Sequence, residues 1–222
     1  MPHPKFQADL LIFDLDGTLV DTRRDLAQAV NFALQQMGRE EIDLATVTSY
    51  VGDGIRKLLE RALGTISDRE IEIAHRHFRQ FYLAHIADYS QPYPGIEAML
   101  EHFANTPKAV LTNKPQEFTD ALLQKLDLRR HFAIVIGGQP QLKLKPDPEA
   151  VFKILNHCAI SPARAMMIGD GENDILAGKA AGIKTCAVTY GLRPAEKLIA
   201  LGPDIIIEKA LHLKNMISKD KF

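Results

Sequence analysis

The stretch Leu10-Leu11-Ile12-Phe13-Asp14-Leu15-Asp16-Gly17-Thr18 decides how this chain is to be read. Four consecutive apolar residues form a short strand of the kind buried on both faces of a parallel sheet. Asp14 and Asp16 follow at its end, and Gly17 lets the chain turn away, so both carboxylates can point into one pocket. Like charges about 4 Å apart repel by roughly 4 kcal/mol at an effective dielectric of 20, so the pair calls for a cation. A hard dication with oxygen ligands suits it, and Mg²⁺ is the common choice near phosphates. The competing reading is an acidic turn that caps a helix.

Similar apolar runs recur at Lys108–Leu111, Ala133–Ile136, Ala165–Ile168, Lys184–Val188 and Asp204–Ile207. Helical patterns lie between most of them, at Gly95–Ala104, Glu117–Leu126, Asp147–His157 and Asn173–Ala181. Strand alternating with helix predicts an α/β fold, a doubly wound parallel sheet of Rossmann-like form with helices on both faces. Such sheets carry their sites at the carboxyl ends of the strands, so the polar clusters Asp14-x-Asp16, Thr112-Asn113 and Gly169-Asp170 should converge.

The alternation fails between Thr18 and Gln91. That stretch has no strand-like run but has helical ones at Asp25–Gln36, Gly54–Leu63 and Asp68–Ile86. A helical cap inserted after the first strand accounts for it. The expected division is residues 1–17 and 92–222 as the catalytic core and 18–91 as the cap, with Tyr93-Pro94-Gly95 as hinge and helix start.

Three further motifs carry chemistry. Thr112-Asn113-Lys114-Pro115 offers a hydroxyl and backbone amides at an expected helix start, an arrangement suited to an oxyanion or phosphate. An ordinary helix cap uses the same residues. Lys145, between Leu144 and Pro146, can project toward the strand ends and neutralise phosphate charge, or stand solvated in its loop. In Gly169-Asp170-Gly171-Glu172-Asn173-Asp174 the two aspartates are one helical turn apart and suit one metal ligand with one supporting group. A calcium loop is the rival there, but no glutamate follows at EF-hand spacing.

In this order and spacing the four motifs resemble those of the haloacid dehalogenase-like hydrolase superfamily over nearly the whole chain. The runs Asp14–Asp21, Tyr50–Leu63, Leu111–Pro115 and Lys145–Ala150 are more narrowly similar to phosphoglycolate phosphatases. The resemblance implies a Mg²⁺-dependent phosphatase acting on a small phosphorylated metabolite, most closely 2-phosphoglycolate, through an aspartyl-phosphate. Asp14 would be the nucleophile and Asp16 the acid and base. The metal would be held by Asp14, the Asp16 main-chain carbonyl and Asp170. Thr112, the Asn113 amide and Lys145 would bind the phosphoryl oxygens, and Asp174 would orient Lys145 or a metal-bound water. Gly171-Glu172 departs from the Ser-Arg often found there, and places an extra acid near the metal. Pyrophosphate, a sugar phosphate, phosphomutase chemistry or a catalytically silent binding protein remain as alternative readings.

The cap is expected to act as a lid, with Gly52-Asp53-Gly54 opening a helix whose Arg56 either reaches a substrate carboxylate or is solvated with Lys57. His75 and His77 are two residues apart on a helix, unlike the spacing of zinc helices, and read as surface or lid-interface residues.

Composition bounds the rest. At 222 residues, 46% apolar and 25% charged, the chain has enough for a real core plus a modest insertion. A net charge of −1 gives no reason to expect nucleic acid or an anionic membrane. No window approaches the ~18 apolar residues needed to span a bilayer, and residues 1–9 lack the pattern of a signal peptide. A cytoplasmic monomer or homodimer is expected, with Cys158 and Cys186 as buried reduced thiols.

Overall fold

The computed structural model of the protein describes residues 6–218; the part of the leader reading that falls on residues 1–5 lies outside them. Its centre is a six-stranded sheet made of β1 (Leu10–Phe13), β2 (Lys108–Pro115), β3 (Ile134–Gly138), β4 (Ala165–Gly169), β5 (Lys184–Val188) and β6 (Ile205–Ile207). The strands lie in the order β3-β2-β1-β4-β5-β6, and every pairing is parallel. Consecutive strands run outward from β1 in both directions, so the order reverses beside it. An open parallel sheet presents its ligand crevice at that reversal.

Strand β1 shows why the run is apolar throughout. Leu11 and Phe13 join a hydrophobic cluster on one side of the sheet, whereas Leu10 and Ile12 join a separate cluster on the other. Alternate side chains point to opposite faces, and both faces are covered. All four are at most 1% exposed, and burying each large apolar side chain contributes roughly 1.5–3 kcal/mol as an upper estimate.

The segment between β1 and β2 forms α1 (Arg23–Gln36), α2 (Leu44–Tyr50), α3 (Ile55–Leu63) and α4 (Asp68–Ala84). Helix α4 begins at Ser67, whose hydroxyl accepts from the Glu70 amide, and Asp68 and Glu70 place negative charge against its positive end. Helix α3 stops at Gly64, which is left-handed at φ 62°. Val30, Leu34, Val47, Leu59, Phe78 and Tyr82 pack between these helices, in the same apolar cluster that covers one face of the sheet. The core helices are α5 (Ile96–His102), α6 (Gln116–Lys125), α7 (Glu149–Cys158), α8 (Glu172–Ala180) and α9 (Ala195–Ala200).

Some elements differ from the sequence expectation. Val20–Asp21 pairs antiparallel with Gln91–Pro92, a two-residue ribbon at the entry and exit of the helical segment, where no strand was expected after Thr18. Two residues are too few to show a periodicity. The second strand does not stop at Leu111: it continues through Thr112, Asn113 and Lys114 to Pro115, with a register shift against β3. Thr112 and Asn113 therefore stand in the strand, and α6 begins only at Gln116. The polar cluster lies at the end of the strand, separated from the start of the helix by Lys114 and Pro115. Cys186 is buried and Cys158 half-buried, and both are free thiols. No helix among the described residues is long and apolar enough to cross a membrane.

Candidate active site

Strand register brings the motifs together. Phe13 lies level with Val110 on one side and with Ile168 on the other, so Asp14 leaves the sheet beside Leu111 and Gly169. The Asp14 amide donates to the Ile168 carbonyl at 2.9 Å, and its carboxylate accepts from the Leu15 amide at 2.7 Å. Asp14, Asp170 and Asp174 each offer an oxygen within 4.8 Å of the others.

Lys145 reaches this group from the loop before α7, with its side chain only 2% exposed. Its Nζ lies 2.6 Å from Asp174 Oδ1 and 3.0 Å from Asp14 Oδ1, and donates to the Leu111 carbonyl at 2.7 Å. All three donors of the ammonium have partners. Burial alone would discharge this lysine, but the two carboxylates outweigh it and hold its pKa above the ordinary value. Asp174 also accepts from the Gly171 amide at 2.9 Å, so it is tied at both oxygens.

Asp170 is 3% exposed and accepts from the Thr18 hydroxyl at 2.9 Å and the Leu192 amide at 2.7 Å. Burial, with the neighbouring charges of Asp14 and Asp174, pushes its pKa up to about 8. Burial and Asp14 also raise that of Asp174, against the pull of Lys145. The chain makes room for Asp170 with glycine. A Cβ on Gly17 would meet an Asp170 oxygen at 2.2 Å, and Gly17 also has φ +84°, a conformation side chains disfavour.

The Asp16 carboxylate turns to other partners. It accepts from the Thr22 hydroxyl at 2.8 Å and from Lys114 Nζ at 3.0 and 3.2 Å. The Lys114 side chain, 3% exposed, also donates to the Tyr82 hydroxyl of α4 at 2.7 Å. The sequence by itself assigns Lys114 no role. No sequence signal marked it, because the strand was expected to end at Leu111 and its register shifts between Leu111 and Pro115.

The helical segment closes over these groups. The Asn113 side-chain amide donates to the carbonyls of Gly52 and Lys145, both at 2.9 Å, while its oxygen accepts the Lys145 amide at 2.8 Å. Asn173 donates to Asp53 at 2.8 Å, and Arg193 donates to the carbonyls of Ser49 and Val51. Glu172 lies 3.6 Å from the Arg193 guanidinium, so the extra acid sits beside the residue that grips the cap loop. Arg193 and Leu192 occupy a loop after β5 that carries no motif, and nothing in the sequence marks them. Arg56 is exposed and paired with Glu60 and Asp68, away from the pocket. His75 and His77 are half-buried on α4, outside the carboxylate group.

Two cavities flank Asp14 and Asp16. A polar one of about 30 Å³ is lined by Lys145, Asp170, Glu172, Asn173, Asp174 and Arg193. The other, of about 50 Å³, joins Thr112, Asn113 and Lys114 to the apolar cap residues Val51, Ile55, Leu58, Phe78 and Tyr82. Paired acids, a buried ammonium and a second, largely apolar cavity form an arrangement that can hold a dication and an oxyanion beside a nucleophilic carboxylate.

Known proteins resemble this chain in sequence and in fold. The family model described as haloacid dehalogenase-like hydrolase matches residues 11–188. Phosphoglycolate phosphatase 1 of Pseudomonas aeruginosa PAO1 is 36% identical over 207 residues, spanning 90% of this chain and 76% of that protein. Phosphoglycolate phosphatase of Aquifex aeolicus is 35% identical over 210 residues, spanning 94% and 96%. The crystal structure of a predicted phosphoglycolate phosphatase from Haemophilus somnus 129pt superposes with a TM-score of 0.88 at 28% identity, covering 94% of this chain and 97% of that one. The chain thus belongs to the haloacid dehalogenase-like hydrolases, as a phosphoric monoester hydrolase of the phosphoglycolate phosphatase-like kind.

Proposed function

We propose that the protein is a Mg²⁺-dependent phosphatase that cleaves 2-phosphoglycolate through an aspartyl-phosphate on Asp14. The observation that carries this reading is the placement of Asp14 between the Lys145 ammonium at 3.0 Å and the carboxylates of Asp170 and Asp174. A nucleophile that is itself an anion must approach a phosphate dianion, and such a reaction needs positive charge already in position.

The residues present fit Mg²⁺. Their donors are hard oxygens, and Asp170 is an acid whose pKa is pushed up to about 8 by burial and then by the charges of Asp14 and Asp174, both of which a dication would offset. Asp14, Asp170 and the Asp16 main-chain carbonyl would hold it. When bound it supplies charge neutralisation at the phosphoryl oxygens. Asp174, engaged by Lys145 and the Gly171 amide, sets the position of Lys145.

Asp14 attacks phosphorus as the ester P–O bond breaks, while Asp16 gives its proton to the departing oxygen. Asp16 then takes a proton from water, whose oxygen attacks the aspartyl-phosphate, frees inorganic phosphate and restores Asp14. Lys145 and the Thr112 hydroxyl bind the phosphoryl oxygens, with the Asn113 amide beside them. Asp16 reaches the cap through Thr22, the residue preceding α1, and through Lys114 and Tyr82. The Asp16 carboxylate is thus positioned in part by the cap.

The cavity on the cap side is about 50 Å³ and walled by Val51, Ile55, Leu58, Phe78 and Tyr82 of the cap, close behind Asp14 and Asp16. Asp14→Asn tests the nucleophile: phosphate release should fall by at least about 10³-fold with the thermal midpoint preserved. Activity near that of the unmodified enzyme would refute the assignment. Chelation should likewise abolish turnover and added Mg²⁺ restore it.

A further inference from the structure

Lys114 takes no part in binding the phosphoryl group or the metal, yet it is a buried ammonium lining the cap cavity. Its neighbours there are apolar or aromatic: Leu26, Ile55, Leu58, Phe78 and Phe118, with the Tyr82 ring 4.7 Å from Nζ. Burial alone would discharge this cation, but Asp16 and the Tyr82 hydroxyl outweigh it and hold its pKa above the ordinary value, so a charged ammonium is kept in a largely apolar wall. Lys145 already supplies the charge that the phosphoryl group requires. The second lysine therefore meets a different demand, and its place in the cavity says which.

We propose that Lys114 is the specificity-determining residue for the leaving group, and that it selects phosphate monoesters bearing a carboxylate on the carbon attached to the ester oxygen. This rests on the phosphatase reading above and deepens it. Asp16 must touch the ester oxygen in order to protonate it, and Lys114 Nζ lies 3.0 Å from Asp16. In P–O–CH₂–COO⁻ the ester oxygen and the nearer carboxylate oxygen are about 3 Å apart, by ordinary bond lengths. One substrate can thus present its ester oxygen to Asp16 and its carboxylate to Lys114 without moving either side chain far. The Tyr82 hydroxyl, 2.7 Å from Nζ, keeps the ammonium in place and contributes a second polar atom from the cap. A neutral leaving group fills the same volume but leaves the ammonium without a partner in the substrate.

The test compares 2-phosphoglycolate with 2-hydroxyethyl phosphate, which replaces the carboxylate by a neutral alcohol, using wild type and Lys114→Met with Mg²⁺. Both proteins are first checked for a cooperative thermal transition. Loss of Lys114 also disturbs Asp16, so turnover of both esters will fall together; the readout is the ratio of their kcat/KM values. Wild type should favour 2-phosphoglycolate by about tenfold or more, the usual worth of a charged hydrogen bond, and Lys114→Met should bring the ratio close to one. A wild-type preference retained in Lys114→Met overturns the role of Lys114 while leaving the phosphatase intact. Equal use of the two esters by wild type overturns both the carboxylate preference and the choice of 2-phosphoglycolate. Metal-dependent release from neither ester overturns the phosphatase reading itself.

If Lys114→Met does not fold, product inhibition of wild type decides the matter. Glycolate should compete with 2-hydroxyethyl phosphate at concentrations where ethylene glycol has no effect. Equal inhibition by the two, or none by glycolate, refutes the proposal.

Discussion

Asp170→Asn should flatten the pH dependence of stability in the metal-free protein. Asp170 is buried beside two other carboxylates and has a folded pKa of about 8 against an unfolded value of 3.8. A raised folded pKa means that the native state binds a proton the unfolded chain has already released. Stability from this group is fully present below pH 3.8 and is lost as pH rises toward 8. Between pH 5 and pH 7 nearly one proton separates the two states, and each pH unit is worth about 1.4 kcal/mol, so the loss is on the order of 2–3 kcal/mol. For a chain of 222 residues that corresponds to a fall in Tm of roughly 5–10 °C. Asparagine keeps the shape and an acceptor for the Leu192 amide but cannot titrate, so its Tm should fall less over the same range by about that amount. The assay is thermal unfolding in EDTA at pH 5, 6 and 7, with each variant compared with itself. Mg²⁺ at a hundred times its Kd should add back about 2.7 kcal/mol to wild type, and far less to the variant. Identical pH slopes in the two proteins would refute the electrostatic reasoning, and equal stabilisation by Mg²⁺ would remove Asp170 from the metal site.

Gly17→Ala should destabilise the protein by about 1–3 kcal/mol, because its φ of +84° is strained for alanine and its methyl would overlap Asp170. Urea unfolding measures this, and a change below about 0.5 kcal/mol would contradict the close approach. Lys145→Met removes the charge that holds Asp14 and Asp174 together and should cost about 3–5 kcal/mol at pH 7, since buried carboxylates are left unpaired. The loss should shrink toward acid pH, where Asp174, whose pKa burial and Asp14 raise, takes up a proton, and a pH-independent loss would show that packing rather than charge is responsible.

How much of this was visible beforehand depended on the range of the interactions involved. The alternation of apolar runs and helical patterns is local, and β1 at Leu10–Phe13, β4 and β5 lie where that pattern places them because each must bury its own side chains. The convergence of Asp14, Asp170 and Lys145 could be anticipated from the topology of such sheets, which puts strand ends together whatever their separation in sequence. The Val20–Asp21 ribbon, the extension of β2 through Lys114 and helix α2 could not, because short elements gain their stability from partners and carry little periodicity of their own.

By itself, then, the sequence determined the sheet, the helical insertion and the residue types at the strand ends, since these follow from local hydrophobic period and from chemistry written into short motifs. Only the tertiary structure decided which charges meet. It paired Lys145 with Asp14 and Asp174, turned Asp16 toward Lys114 and Thr22, and closed the cap loop with Asn113, Asn173 and Arg193. The physical reason is that these bonds join residues between 6 and 144 positions apart, and their strength depends on a common burial that no single segment can create.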